Sequence, residues 1–389
     1  MDPVKVTDVR LFRVEGSPPS WPYEDRSVEP LDLYPRRDAE RTQPGRLRAS
    51  YVEVETDEGL SGLYGPIDVR QAFLIASDLR PLLVGADPTA TEALHDRMLR
   101  VQRHGRAGLF VTAVSAIDNA LWDLRGKALD RPVYALLGGP TRERVPVYAS
   151  MLGHSVEPDR AAAAASEHKE LGFTSQKWFF AYGPGAGADG LRRNLAMAHA
   201  VREAVGQGYP LMFDAFMSWD ATYAEEMLRG LEPVEPHWME EPVPPERLDV
   251  LRRLAAGTPI RIATGEHAST RWQVKQLLDA GVRVIQTDPD WCGGITEQRH
   301  ICSLCSTYDV PVVAHGHAVA VPLHLAASQS PQVVPLIEYL VRVQEKNQFF
   351  HRTIHRPTGG ALELPTAPGL GIDLDPAKIE DRRELAFDL

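Results

Sequence analysis

Three carboxylates close three short apolar runs. Asp214 follows Leu211-Met212-Phe213, Glu240 follows His237-Trp238-Met239, and Glu266 follows Ile262-Ala263-Thr264-Gly265. Each lies 26 residues from the last. One strand, one loop and one helix use about that length in a (β/α)₈ barrel, where roughly 250 residues make eight units. A barrel gathers consecutive strand ends on one face, so the three side chains are expected to converge. Three carboxylates in a polar mouth suit a hard divalent cation such as Mg²⁺, which prefers oxygen ligands. Acidic residues also follow strands as helix N-caps. That alternative does not account for three in register followed by His315.

Other strand ends add Lys177, His267, Asp288, His315 and Glu338. Asp288 and His315 are the sharpest pair, on neighbouring candidate strands. A carboxylate beside an imidazole fixes its tautomer and raises its basicity, as a general base requires.

The elements that must position these residues alternate from Val145 onward. Candidate strands are Val145–Ala149, Ser175–Phe180, Leu211–Asp214, His237–Glu240, Arg261–Gly265, Val282–Thr287, Val310–Ala314 and Val334–Glu338. Helical patterns such as Leu191–Val205 and Tyr223–Leu231 lie between them. Strand–helix alternation implies a parallel sheet, and eight strands imply closure. Residues 1–140 read differently, with strands at Val4–Val14 and Arg48–Glu55, then helices at Val69–Leu83, Ala90–Val101 and Leu109–Gly126. The loop of about residues 17–43 is rich in Pro, Arg and acids, and its Trp21, Tyr23, Leu31, Leu33 and Tyr34 suit an ordered lid. The expected organisation is an N-terminal α+β domain over 1–140, a barrel over 141–365, and a segment over 366–389 that returns to the N-terminal domain.

Gly185-Ala186-Gly187-Ala188-Asp189-Gly190 fits G-x-G-x-x-G and supports a rival reading, an NAD-dependent oxidoreductase. Ala181-Tyr182-Gly183-Pro184 separates these glycines from the strand, where the fingerprint needs a tight turn. The rival also leaves Glu240, Glu266, Asp288 and His315 unexplained.

The 389 residues carry a net charge of −11, which gives no electrostatic basis for binding nucleic acid or an anionic membrane. No apolar run reaches the length of a membrane span, and the N-terminus opens straight into a strand pattern rather than a signal peptide. Cys292, Cys302 and Cys305 make no disulfide framework, and Cys302 and Cys305 fit one helix face. A reducing, cytoplasmic setting is expected.

These residues resemble the enolase superfamily, and within its mandelate racemase subgroup the acid-sugar dehydratases of the L-rhamnonate dehydratase type. The resemblance covers nearly the whole chain. It rests on Met212-Phe213-Asp214, Trp238-Met239-Glu240-Glu241-Pro242, Thr264-Gly265-Glu266-His267, Thr287-Asp288 with Trp291-Cys292-Gly293-Gly294, and Val312-Val313-Ala314-His315-Gly316. Ala120-Leu121-Trp122-Asp123-Leu124 and Leu136-Leu137-Gly138-Gly139 match a shared helix and the entry into the barrel.

The resemblance implies a (β/α)₇β barrel with an N-terminal α+β capping domain, and one Mg²⁺ held by Asp214, Glu240 and Glu266. It implies dehydration of a small-molecule acid sugar, aldonate or aldarate, to a 2-keto-3-deoxy acid through an enediolate. His315 is then the base, oriented by Asp288. Lys177 and His267 stabilise charge or bind substrate, and Glu338 hydrogen-bonds the enediolate. Homo-oligomers are expected. Racemases of the superfamily carry Lys-x-Lys on the second strand; here it is Lys177-Trp178-Phe179, so one face lacks its lysine and elimination is favoured. The alternative within the superfamily is a racemase or epimerase, or a cycloisomerase. The capping loop matches as Trp21, Asp25, Pro30 and Tyr34, but Arg26 stands where the rhamnonate enzymes carry His. Trp21 and Arg26 are therefore candidate substrate contacts, and Arg26 suits either a second substrate carboxylate or a surface acid.

Overall fold

The computed structural model describes residues 4–18 and 45–388. β1 (Val6–Gly16), β2 (Leu47–Thr56) and β3 (Ser61–Ile67) form an antiparallel meander. β3 was not expected from the sequence. Its two glycines and Pro66 argue against a strand, yet it sits at a sheet edge, where a missing N–H is tolerated. Helices cover the sheet. The helix Leu109–Ala128 is buried along most of its length, with apolar residues on nearly every side and buried Ser115, Asp118, Asn119 and Asp123 bonding to neighbouring segments.

The barrel strands are β4 (Arg144–Ser150), β5 (Gln176–Phe179), β6 (Leu211–Asp214), β7 (Trp238–Glu240), β8 (Ile262–Thr264), β9 (Val284–Ile285) and β10 (Ile337–Leu340). They pair in parallel and in sequence order from β4 to β9, and β10 returns beside β4. The ring closes through the expected strand 310–314, which makes only one bridge, at Val312. Its backbone still bonds both neighbours: Ile285 N donates to Pro311 O (3.0 Å), Val313 N to Ile285 O (2.8 Å) and Glu338 N to Ala314 O (3.4 Å). Pro311 has no N–H to extend the ladder. This sequential, curled order excludes the dinucleotide-binding reading, whose strand order reverses. The glycine run instead forms a 3₁₀ turn, Pro184–Ala186, and opens the helix Gly187–Val205.

β11 (Ala361–Glu363) pairs with β4, and β12 (Asp381–Glu384) joins the first sheet beside β1, giving the order β12-β1-β2-β3. No helix among the described residues is long and apolar enough to cross a membrane. The three cysteines are buried and unpaired, with Cys302 and Cys305 on the helix Gly294–Ser306.

Strand alternation sorts the barrel into layers. Phe213, Met239, Ile262 and Ile285 face the surrounding helices. Tyr148, Met212, Trp238, Ala263, Val284 and Val313 pack together as a separate apolar cluster. Two residues beyond Met212 and Trp238, on the same strand faces, come Asp214 and Glu240. The carboxylates therefore stand next to an apolar plug.

One helix joins the domains. From Leu109–Ala128, Ser115 Oγ accepts from Gly293 N (2.8 Å), Asn119 Oδ1 from Ile295 N (3.1 Å) and Asp118 Oδ2 from Thr296 N (2.9 Å). Asn119 Nδ2 donates to Pro289 O (3.2 Å). These bonds hold the loop after Asp288 and cap the helix Gly294–Ser306, whose first N–H groups lack partners of their own. Gly294 has a φ of +83°, and a Cβ there would lie 2.4 Å from Asp118 Oδ2, so the approach needs glycine. On the same helix, Asp123 accepts from Leu63 N (2.9 Å) and Leu370 N (2.7 Å) and pairs with Lys127 (2.7 Å).

Replacing Asp123 with Ala strands two buried N–H groups at about 1–3 kcal/mol each. We expect Asp123→Ala to lower stability by roughly 3 kcal/mol in urea unfolding. A loss within error would show that this carboxylate is dispensable.

Candidate active site

Asp214 and Glu240 are direct partners in the β6–β7 register. β5 places Lys177 one step lower, opposite Met212, and its long stem carries the ammonium up between them. Lys177 Nζ lies 3.2 Å from Asp214 Oδ2, 2.7 Å from Glu240 Oε1 and 2.9 Å from Glu338 Oε1, with its side chain 1% exposed. Burial opposes the charge on Lys177, but Glu240 and Glu338 outweigh it and hold its pKa well above the ordinary lysine value. Trp238 Nε1 (3.2 Å) and Gln286 Nε2 also donate to Glu240 Oε2.

The strand ends kink sharply. Phe216 and Met217 have φ of 49° and 59°, Glu241 40° and Gly265 122°. Non-glycine residues pay strain for such angles, which recur where side chains must be re-aimed. Phe216 N donates to Asp214 Oδ1 (2.9 Å). Simple alternation would turn Glu241 away from Glu240. The kink instead brings it to Glu266 and His267, with one ligand-type atom of each within 4.8 Å of the others. Thr264 Oγ1 donates to Glu241 Oε1 (3.2 Å).

His315 stands across from the lysine. Its Nδ1 is 2.9 Å from Asp288 Oδ2, and its Nε2 is 3.6 Å from Glu266 Oε2 and 4.0 Å from Glu338 Oε2. Asp288 is fully buried and also accepts from Asp290 N (2.7 Å) and His317 N (3.3 Å). Gly316 N donates to Glu338 Oε2 (2.8 Å), and a Cβ on Gly316 would lie 2.8 Å from Glu338 Cγ. Burial disfavours charge on His315, but Glu266, the Asp288 bond and Glu338 raise its pKa well above the imidazole value. Glu266 is driven down to about 2: burial opposes this, but the charge of His315 and the bond from His267 (3.0 Å) prevail.

Glu338 is lowered as well, with burial opposing and the charge of Lys177 prevailing, whereas three other acids go the other way. Burial first, then the charge of Asp214, raises Glu240 well above its ordinary value, and burial with Glu266 does the same for Glu241. Asp214 is raised too, by burial, with Lys177 opposing. The site thus holds more buried carboxylate than its lysine and histidines balance. That donor set fits a divalent cation, which would relieve the excess.

The structure brings Lys177, Asp214, Glu240, Glu266, His267, Asp288, His315 and Glu338 to one face. Trp21 and Arg26 lie outside the described residues. Trp291, Asp290 and His317 had no role in the sequence reading. Trp291 stacks on His267 (5.8 Å between centroids, 4°) and on His315 (4.8 Å, 29°). Phe179, at the position of the absent second lysine, lies 5.2 Å from Lys177 Nζ and packs on Phe216. Asp290 and His317 repeat the Asp288–His315 spacing of 27 residues, a signal present in the sequence but passed over.

Comparison with known proteins agrees with this geometry. Residues 159–378 match the enolase C-terminal domain-like model, and residues 37–138 match the N-terminal domain model of mandelate racemase and muconate lactonizing enzyme. The L-rhamnonate dehydratase of Saccharopolyspora erythraea is 33% identical over 99% of this chain and 100% of its own. The rhamnonate dehydratase of Gibberella zeae complexed with Mg superposes with a TM-score of 0.84 at 30% identity, covering 97% of this chain and 96% of that one. The 3,6-anhydro-D-galactonate cycloisomerase of Zobellia galactanivorans superposes at 0.77 with 29% identity over 97% and 98%. Matched over both domains, with strand-end acids and an Asp–His pair on its barrel face, the chain belongs to the enolase superfamily and to its mandelate racemase and muconate lactonizing branch.

Proposed function

We propose that the protein is a Mg²⁺-dependent hydro-lyase that dehydrates an acid sugar to a 2-keto-3-deoxy acid. The observation that carries this reading is a single base on one face. His315 is oriented by Asp288, while Phe179, where the racemases of the superfamily carry a second lysine, offers only an apolar ring beside Lys177. Stereochemical inversion at C2 needs a proton carrier on both faces; elimination needs one.

Asp214, Glu240 and Glu266 would hold the ion. Bound Mg²⁺ supplies Lewis-acid stabilisation of the charge that develops on the substrate carboxylate, worth several kcal/mol. A cation on Glu266 would neutralise the charge that most raises the His315 pKa; the ring then keeps Nδ1–H on Asp288 and leaves Nε2 to take the C2 proton, and a positioned base of this kind contributes roughly 10²–10⁴-fold. The enediolate expels the 3-hydroxyl, which leaves as water with the proton carried by His315, and the enol ketonises. Lys177 and His267 balance charge on the substrate carboxylate, and Glu338, ionised beside Lys177 in the free enzyme, donates a hydrogen bond to the enediolate when it carries a proton. Trp291 holds the His315 ring plane by stacking. The epimerase or cycloisomerase reading needs Lys177 as proton donor. Its contact with three carboxylates counts against that role. The same chemistry makes a small-molecule acid sugar the partner.

Two outcomes are expected. Burial raises Asp214 and Glu240, two of the three proposed ligands. Protons therefore compete with the metal, Mg²⁺ affinity rises with pH, and binding releases protons. Calorimetry in buffers of different ionisation enthalpy measures the release; none would contradict the proposed donor set. A screen of the Mg²⁺-loaded enzyme against mono- and diacid sugars, read by semicarbazide absorbance, should give a keto product that His315→Asn reduces at least about 10²-fold. Exchange at C2 in D₂O without keto product would replace dehydration by isomerisation.

A further inference from the structure

Two residues beyond the first Asp–His pair stands a second. His317 Nδ1 lies 2.7 Å from Asp290 Oδ2, as His315 Nδ1 lies 2.9 Å from Asp288 Oδ2. Asp290 is 5% exposed, and its Oδ1 accepts a hydrogen bond from the hydroxyl of Tyr64, on β3 of the N-terminal domain. Asn347 Nδ2 bonds the His317 carbonyl (2.8 Å). The N-terminal domain thus fixes Asp290, which holds the ring at Nδ1; burial opposes charge on His317, but Asp290 prevails and raises its pKa, so the protonated ring offers Nε2–H to an anionic ligand. Unlike Asp290, the His317 side chain is 36% exposed.

It opens into a cavity of about 430 Å³ between the two domains. Trp291 forms part of the wall and also stacks on His315, so the cavity shares a wall with the proposed catalytic site. The indole centroid is 4.8 Å from the His315 ring and 5.3 Å from the His317 ring. Arg48, Arg70 and Lys346 also line it, with Asp68 as the one acid among the described residues. Asp68 is engaged by Arg70 (2.7 Å) and by the backbone of its own helix. Arg48 shares the single carboxylate of Glu15 with Arg13 and Arg46. Lys346 has no acidic partner among the described residues. The wall therefore carries more positive charge than negative, although the chain as a whole is acidic.

We propose that this cavity is the distal subsite of the substrate and that His317, with Lys346 and Arg48, recognises a second, terminal carboxylate there. The substrate class is then the diacid sugars, and this rests on the dehydratase reading above. With C2 beside His315 Nε2, the far end of the sugar passes Trp291 and meets the second imidazole. The Tyr64–Asp290 link makes the N-terminal domain part of that recognition.

The test uses Mg²⁺-loaded His315→Asn enzyme, which cannot turn substrate over. A panel of five- and six-carbon aldarates is titrated by calorimetry against the matching aldonates, and the imidazole ¹⁵N resonances of His317 are followed in parallel. Diacids should bind about tenfold or more tightly than their matching monoacids and shift the His317 resonance. Adding His317→Asn should remove that preference, weakening diacids more than their matching monoacids. Adding Lys346→Met, at an exposed position where folding is not at stake, should weaken diacids alone. Equal affinities with an unmoved His317 resonance would overturn the inference and leave the dehydratase reading intact. If no acid sugar bound, and none exchanged its C2 proton in the wild-type enzyme, the dehydratase reading itself would fall.

Discussion

The structure depends on one electrostatic constraint: too many carboxylates buried around too few cations. Lys177 touches Asp214, Glu240 and Glu338 with almost no exposure to water. Glu241 and Glu266 stand beyond them, and His315 faces Glu266 and Glu338. Desolvating a charge costs several kcal/mol, and a buried ion pair recovers that only with close geometry. Such a cluster is poor at stabilising a fold. It is well suited to holding a divalent cation and to placing proton acceptors around a carboxylate substrate.

Everything beneath the cluster keeps it in place. The apolar plug of Tyr148, Met212, Trp238, Ala263, Val284 and Val313 sets the layer from which the acids rise. The kinks at Phe216, Met217, Glu241 and Gly265 turn the chain away directly afterwards. Laterally, the helix Leu109–Ala128 fixes the loop after Asp288 through Ser115, Asp118 and Asn119. The Asp–His pair therefore inherits its position from the domain interface as well as from the barrel.

Much of this was legible in the chain because strand periodicity is local. A carboxylate two residues past an inward apolar residue must share its face, so Asp214 and Glu240 could be placed from pattern alone. Spacing then put Glu266, Asp288, His315 and Glu338 on the same rim. Three features escaped. β3 is hidden by Gly62, Gly65 and Pro66, which edge position excuses. The place of Glu241 depends on a positive φ that alternation does not anticipate. The Tyr64–Asp290 contact joins residues 226 apart, and no local rule reaches that far. The second Asp–His pair differs: its spacing was visible, but its meaning required the cavity that His317 faces.

The most direct measurement is an anomalous-scattering map from crystals of the enzyme soaked in Mn²⁺. The account requires one strong peak bounded by Asp214, Glu240 and Glu266, within about 2.0–2.3 Å of their oxygens, with the Lys177 ammonium beside it. A peak seated instead on Glu241, Glu266 and His267, or no peak on the barrel face, would contradict it.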